Sequence, residues 1–274
     1  MPRPEITNWL RKQFFPHMWC PGCGHGVILH ALLRALVASG KTKEQTVIAS
    51  GIGCSSRMPG YIDACTVHTT HGRSLSFATG IKMANPDLTI LDVMGDGDCT
   101  AIGGNHFIHA CRRNIDITAI VMNNNIYGMT GGQASPTTPP GAKATTAPYG
   151  AIDPPFDVCK LAEGAGATYV ARTTIAQPMI CEQYIKKGIA NKGFSVVEIV
   201  SSCHTQFGRK NNRRTPLDNL NFLKGASIPV GKTADMSPEE LKDKIITGEF
   251  VTNVSPEYSE QYLKLIETVG GNKA

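Results

Sequence analysis

The chain has 274 residues, of which 18% are charged, with 28 glycines and a formal net charge of +5. That length supports a large domain with a substantial buried core, and the low charged fraction suits a surface partly covered by partner subunits. No apolar run approaches the roughly 20 residues that cross a bilayer, and the charge is too mild and too dispersed for nucleic-acid binding.

The N-terminal stretch MPRPEITNWLRKQFF lacks the uninterrupted apolar core of a signal peptide, so the chain reads as cytoplasmic. Nine cysteines, an odd number in a reducing compartment, argue against a disulfide framework. WCPGCGHG (19–26) then raises a question, because its two cysteines suit a zinc, an iron–sulfur cluster, a redox disulfide or a tight turn. Strand-like apolar runs follow at TVIAS (46–50), LTILDVM (88–94), DITAIVMN (116–123) and FSVVEIVS (194–201). Helical patterns lie at about 26–39, 72–84, 100–113 and 175–190. Continuous apolarity marks strands covered on both faces, so the expected fold is α/β, a doubly wound and mostly parallel sheet. Cys111, Cys159 and Cys181 fall in helical apolar patterns and read as core, whereas Cys65 has no ligand-like neighbour.

The stretch 134–155 is a long Pro/Thr/Gly loop, of a length that is usually functional or mobile. The basic run GRKNNRR (208–214) reads as a solvated loop or as an attraction for acidic or phosphorylated partners. Residues 1–205 form the expected α/β domain, and 206–274 a C-terminal extension or arm that contacts a partner subunit. Within it, SPEELKDKIITGEF (237–250) opens with capping-box spacing from Ser237 to Glu240.

The chemically loaded segments all follow strands: GIGC (51–54), GDGD (95–98), NNN (123–125) and SSC (201–203). Ligands of open parallel sheets bind outside the carboxyl ends of the strands, so these segments share one edge. Gly95 and Gly97 let the backbone approach a phosphate at a helix start, and Asp96 inside that loop needs an intervening cation such as Mg²⁺. Asn124 comes one crossover later, which returns its amide oxygen to the same edge. Cys54 and Cys203 both follow strands, so four thiolates can converge with Cys20 and Cys23; spacing alone allows zinc as well as a cluster. His25 is either a ligand-facing group or a structural histidine at a helix start.

GDGD followed by NN about one crossover later resembles the thiamine diphosphate motif. That resemblance implies a Mg²⁺ held by Asp96, Asn124 and the carbonyl of Ile126. WCPGCGHG, GIGCSSRMPGYI, HTTHGRSLSFATGIKMANP, NNNIYGMTGGQ and SSCHTQFGRKN resemble, in order, the β subunit of 2-oxoacid:ferredoxin oxidoreductases. The resemblance implies a 4Fe–4S cluster on Cys20, Cys23, Cys54 and Cys203, and a cofactor pocket formed by Gly53, Cys54, His71, Gly95 to Asp98, Asn124, Ile126, Gly128, Met129 and Thr130. His71 is implied near the diphosphate and Arg57 near the substrate carboxylate. The implied reaction is CoA-dependent oxidative decarboxylation of a 2-oxoacid, with electrons passed through the cluster to ferredoxin. HTTHGRSLSFATGIK looks most like the 2-oxoglutarate-using branch, which forms succinyl-CoA. A pyruvate or broad 2-oxoacid enzyme is the near alternative. No segment here supplies the activating Glu of the pyrimidine half-site, so a larger α subunit is expected, as αβ or (αβ)2. The rivals are a non-redox thiamine enzyme subunit with structural zinc, and a non-catalytic protein that keeps the fold.

Overall fold

The structure, a computed structural model, describes residues 4–271. Helix α1 (Pro4–Asn8) leads into the cysteine loop, and α2 (His25–Ser39) starts two residues after its second cysteine. Strand β1 (Thr46–Ser50) is followed by a 3₁₀ turn (Ser55–Tyr61), then β2 (Cys65–His68), α3 (Ser74–Ala84) and β3 (Thr89–Gly95). Next come α4 (Asp96–Thr100), α5 (Gly104–Arg113), β4 (Thr118–Asn123) and the small pair β5 (Ile126–Tyr127) and β6 (Gln133–Ala134). Residues 135–157 carry no helix or strand, as expected of that loop. They lead to α6 (Val158–Gly164), β7 (Tyr169–Thr174), α7 (Pro178–Ala190) and β8 (Ser195–Val200). The C-terminal part contains α8 (Pro216–Ala226), β9 (Ser227–Pro229), α9 (Pro238–Leu241), β10 (Ile245–Thr252) and α10 (Tyr258–Gly271).

Eight strands form one sheet in the order β2-β1-β3-β4-β8-β7-β10-β9. Every pairing is parallel except β10 on β7. The four central runs read from the sequence are β1, β3, β4 and β8, and successive residues of each alternate between two buried layers. Ile48, Leu91, Val93, Ile120 and Val197 face one core with Leu32 and Leu36 of α2 and Ile185 of α7. Val47, Ile90, Ala119, Val121 and Val196 face the other with Leu75 of α3, Phe107 of α5 and Val158 of α6. The sheet is therefore covered on both sides, the doubly wound arrangement. Cys111 and Cys159 lie in the second core and Cys181 in the first.

Three features differ from the sequence reading. The helix expected over 100–113 is two helices, α4 and α5, split at Gly103. A Cβ on Gly103 would lie 2.2 Å from the Asp98 carbonyl oxygen, so the chain must turn there with no side chain. The capping box at Ser237 and Glu240 is present, but its helix lasts only four residues. The same segment then becomes β10, which extends the sheet beyond β7, so 245–252 belongs to the sheet and not to a free arm. Strands β7 and β2 also escaped the sequence reading. Arg172 interrupts the apolarity of β7, and β2 is a short edge strand with Cys65 exposed.

Candidate active site

Four parallel strands, β1, β3, β4 and β8, bring Gly51–Cys54, Asp96, Asn124 and Ser201–Cys203 to the carboxyl edge of the sheet, because each of these segments follows one of them. Asp96 opens α4, and its buried carboxylate is held from several sides. Its Oδ2 accepts hydrogen bonds from the hydroxyls of Ser135 (2.5 Å) and Thr137 (2.7 Å). Its Oδ1 accepts the Asn124 backbone N–H at 3.4 Å. Burial pushes the Asp96 carboxyl above its ordinary range, and these donors oppose that. Asn124 folds its side chain into a short turn in which Oδ1 accepts from the Ile126 N–H at 3.3 Å.

Asp96 and Asn124 line a cavity of about 110 Å³, together with Gly53, Gly95, Gly97, His71 and the segment 126–130. His71 Nδ1 is hydrogen-bonded to the Asp98 carboxylate. Asp98 also accepts the Gly72 N–H at 2.6 Å, so it anchors the 71–72 turn. Its second oxygen is buried against Gly51 and has no partner. Arg57 is exposed and lines neither this cavity nor the cysteine cavity; its positive charge reaches Cys54 from outside.

Cys20, Cys23, Cys54 and Cys203 line a second cavity of about 270 Å³. Thr205 Oγ1 lies 3.6 Å from Cys203 Sγ and 4.0 Å from Cys20 Sγ. The Cys20–Cys23 loop needs Gly22 in the left-handed region (φ 80°), and a Cβ there would meet Pro216 of α8 at 2.4 Å. Burial pushes the Cys23 thiol up to about 12 and the Cys54 thiol up to about 11, and in both cases neighbouring thiols of the set add to the rise. No three of the four sulfurs lie within 4.8 Å of one another among the described residues, where only Asp157, Cys159 and Glu198 meet that limit. Four thiols lining one cavity are the donor set of an iron–sulfur cluster or of a zinc.

The two cavities share a wall made of His25, Cys54, Asn124, Gly128 and Met129. His25 is buried, and burial lowers its pKa to about 4, so it stands neutral. Its Nδ1 lies 3.4 Å from Ser201 Oγ, and its ring meets Trp19 edge-on at 5.7 Å. It is packed between the two cavities and lines both. Ser135 and Thr137 were missed by the sequence reading; their signal was the hydroxyl-rich SPTT of the long loop, which offered no clue to its partner.

Residues 51–199 match the family described as thiamine pyrophosphate enzyme, C-terminal TPP binding domain. The 2-oxoglutarate synthase subunit KorB of Methanocaldococcus jannaschii is 55% identical over 260 residues, covering 95% of this chain and 96% of that one. The 2-oxoacid:ferredoxin oxidoreductase subunit beta of Saccharolobus solfataricus is 44% identical over 189 residues, covering 68% of this chain and 62% of its own. A solved 2-oxoglutarate:ferredoxin oxidoreductase from Magnetococcus marinus, with 2-oxoglutarate, coenzyme A and succinyl-CoA bound, superposes with a TM-score of 0.87 at 34% identity. That match covers 98% of this chain and 92% of the other. A thiamine-type acidic turn beside a four-cysteine pocket, on a fold shared nearly end to end with these proteins, gives the conclusion: the chain belongs to the β-subunit family of the 2-oxoacid:ferredoxin oxidoreductases.

Proposed function

We propose that this chain is the thiamine- and cluster-bearing β subunit of a cytoplasmic 2-oxoglutarate:ferredoxin oxidoreductase. With an α subunit, as αβ or (αβ)2, it converts 2-oxoglutarate, coenzyme A and oxidised ferredoxin into succinyl-CoA, CO2 and reduced ferredoxin. The observation that carries this reading is the wall shared by the acidic-turn cavity and the cysteine cavity. Electrons released in one have only a side chain's thickness to cross to the other. Thiamine diphosphate supplies an electron sink for decarboxylation and the cluster a one-electron relay. The choice of 2-oxoglutarate rests on the names of the M. jannaschii and Magnetococcus relatives.

Asp96, Asn124 and the Ile126 carbonyl would hold Mg²⁺ through hard oxygen ligands. Gly95 and Gly97 line the cavity where a diphosphate would lie, and the absence of a side chain at Gly97 lets Tyr127 pack against it. Cys20, Cys23, Cys54 and Cys203 would hold the cluster in the cavity they line together. His71, fixed by Asp98, lines the cavity where the diphosphate would lie, and the exposed Arg57, outside both cavities but near Cys54, is proposed for a substrate carboxylate. The 110 Å³ cavity is far below the roughly 300–1,000 Å³ of a complete small-molecule site. That shortfall supports an α subunit completing the pocket and supplying the missing Glu. The apolar stripe of α10 (Tyr258, Tyr262, Leu265, Ile266, Val269), exposed along one helix face, supports a partner contact by the C-terminal region.

Anaerobic purification with metal analysis tests the reading. The expected result is about four iron and four sulfide per chain, a brown absorption that dithionite bleaches, and 2-oxoacid oxidation only when the α subunit is present. One zinc and no colour would sink it. So would turnover by the isolated chain, as regards the partner.

Electron exit gives a second expected result. Cys20 is exposed, and residues 199–217 around Cys203 carry no acidic side chain while Arg209 and Arg214 are exposed. Attraction of an acidic ferredoxin to this face predicts that its reduction rate falls several-fold between low and about 0.3 M salt. Reduction of an uncharged artificial acceptor should hold steady. Equal salt dependence for both acceptors would remove the electrostatic role of this face.

A further inference from the structure

The loop 134–155 has no part in the function described so far, yet it is bonded to the acidic turn at several points. Ser135 and Thr137 both donate to Asp96 Oδ2. The Asn125 side-chain amide donates to the Thr137 carbonyl at 2.7 Å, and the Thr138 hydroxyl donates to the Asn125 carbonyl at 2.7 Å. Thr137 Oγ1 also lies 3.0 Å from Asn123 Oδ1. Its single proton goes to the carboxylate, which is the closer and charged acceptor. Asn123 Oδ1 in turn accepts the Asn125 N–H at 3.0 Å.

Behind this lies a buried ionic support. Asn123 Nδ2 donates to Glu198 Oε1 at 2.7 Å, and Arg172 Nε donates to Glu198 Oε2 at 2.6 Å. Arg172 is paired with Asp157 as well. Glu198 is 2% exposed, and Arg172, its ion-pair partner, sits in register with it on the neighbouring strand β7.

From this geometry we infer that Ser135 and Thr137 are positioning residues for the cation ligand Asp96. By occupying Oδ2 with two hydroxyl donors, they turn Oδ1 toward Asn124 and the cavity. Asn123, braced by Glu198 and Arg172, fixes the other side of the same turn. A carboxylate has room for about four acceptor contacts, so a double hold on one oxygen leaves the other for a cation. Outer partners that orient metal ligands change affinity by about 10–100-fold when removed. The inference rests on the reading of Asp96 as a Mg²⁺ ligand.

The test uses the α–β complex stripped of cofactor and metal, titrated with Mn²⁺ in the presence of thiamine diphosphate, with free Mn²⁺ read by electron paramagnetic resonance. Thr137→Val and Ser135→Ala should each weaken Mn²⁺ binding by about 10–100-fold. Thr137→Ser, which keeps the hydroxyl, should bind as wild type does. Thr145→Val provides a control on the same loop, since that hydroxyl serves only the Gly131 carbonyl at 2.7 Å, and it too should bind normally. Wild-type affinity in both Thr137→Val and Ser135→Ala overturns this inference alone and leaves the thiamine reading standing. Weakening in Thr137→Ser or Thr145→Val equal to that in Thr137→Val assigns the effect to loop packing and overturns it as well. A wild-type complex that binds no Mn²⁺ overturns both readings together.

Discussion

Cys54→Ala will give a folded complex that still binds thiamine diphosphate but has lost its iron and its 2-oxoacid-dependent reduction of ferredoxin. Cys54 follows β1 at the N-terminus of a 3₁₀ turn, and its carbonyl accepts the Trp19 indole N–H at 2.7 Å. The backbone at this point is held without help from the thiol. What the thiol contributes is one corner of the four-cysteine set and a piece of the wall facing the acidic turn. Asp96, Asn124 and their supports are untouched, so cofactor affinity should survive. Losing the relay should cost ferredoxin reduction at least about 10³-fold, equivalent to about 4 kcal/mol of barrier. Cys181→Ala is the comparison: that thiol, on α7, is fully buried in the core and does not line the cysteine cavity. It should lower stability by about 1 kcal/mol and leave iron content and activity unchanged. Full iron and full activity in Cys54→Ala would remove Cys54 from the ligand set.

Asp92→Asn will stabilise the protein at alkaline pH and make little difference in acid. Asp92 sits in the middle of β3, in register with Ala49 of β1 and Ala119 of β4, and is completely buried. Ser74 at the start of α3 donates to its Oδ2 at 2.8 Å, while its Oδ1 is buried with no partner. Burial raises the carboxyl to about 8, with the Ser74 hydrogen bond opposing and Asp98 adding to the rise. The folded protein thus holds this proton more tightly than the unfolded chain does. Stability is complete below the unfolded value of about 4 and is lost as pH rises toward about 8. An Asn is neutral throughout, so the variant's advantage should open by about 1.4 kcal/mol per pH unit over that window and then level off. At its fullest the difference is on the order of 5 kcal/mol, enough to raise the melting temperature at pH 9 by about 10 °C or more. Melting curves of both proteins from pH 4 to pH 9 provide the measurement. Parallel curves over the whole range would mean that Asp92 does not carry a proton that ionisation must remove.

The two large effects come from residues of different legibility. Cys54 could be picked out because a cysteine soon after a buried apolar strand, in a chain with a Cys-x-x-Cys loop, can converge with that loop at the sheet edge, and the structure puts it in the same cavity. Asp92 was invisible inside LTILDVM, since one acid in an apolar strand changes neither its period nor its length. Arg172 and Glu198 are a similar case. They face each other in register on β7 and β8, and the arginine that made β7 look unlike a strand is neutralised by the glutamate of its neighbour. The segment 245–252 became a strand because β7 and β9 flank and pair with it, a tertiary circumstance that local pattern does not record.

The sequence by itself determined the doubly wound sheet, through four strands apolar on both faces, and it determined the chemistry at the strand ends, through glycines, carboxylates, amides and thiols placed one crossover apart. Such signals are local, and a parallel topology carries each of them to the same edge. Only the tertiary structure decided that the acidic turn and the cysteines share a wall, that His25 is a neutral partition, and that Ser135 and Thr137 grip a carboxylate about 40 residues away in sequence. Those contacts join side chains whose separation along the chain has no periodicity, so packing across the folded edge alone selects them.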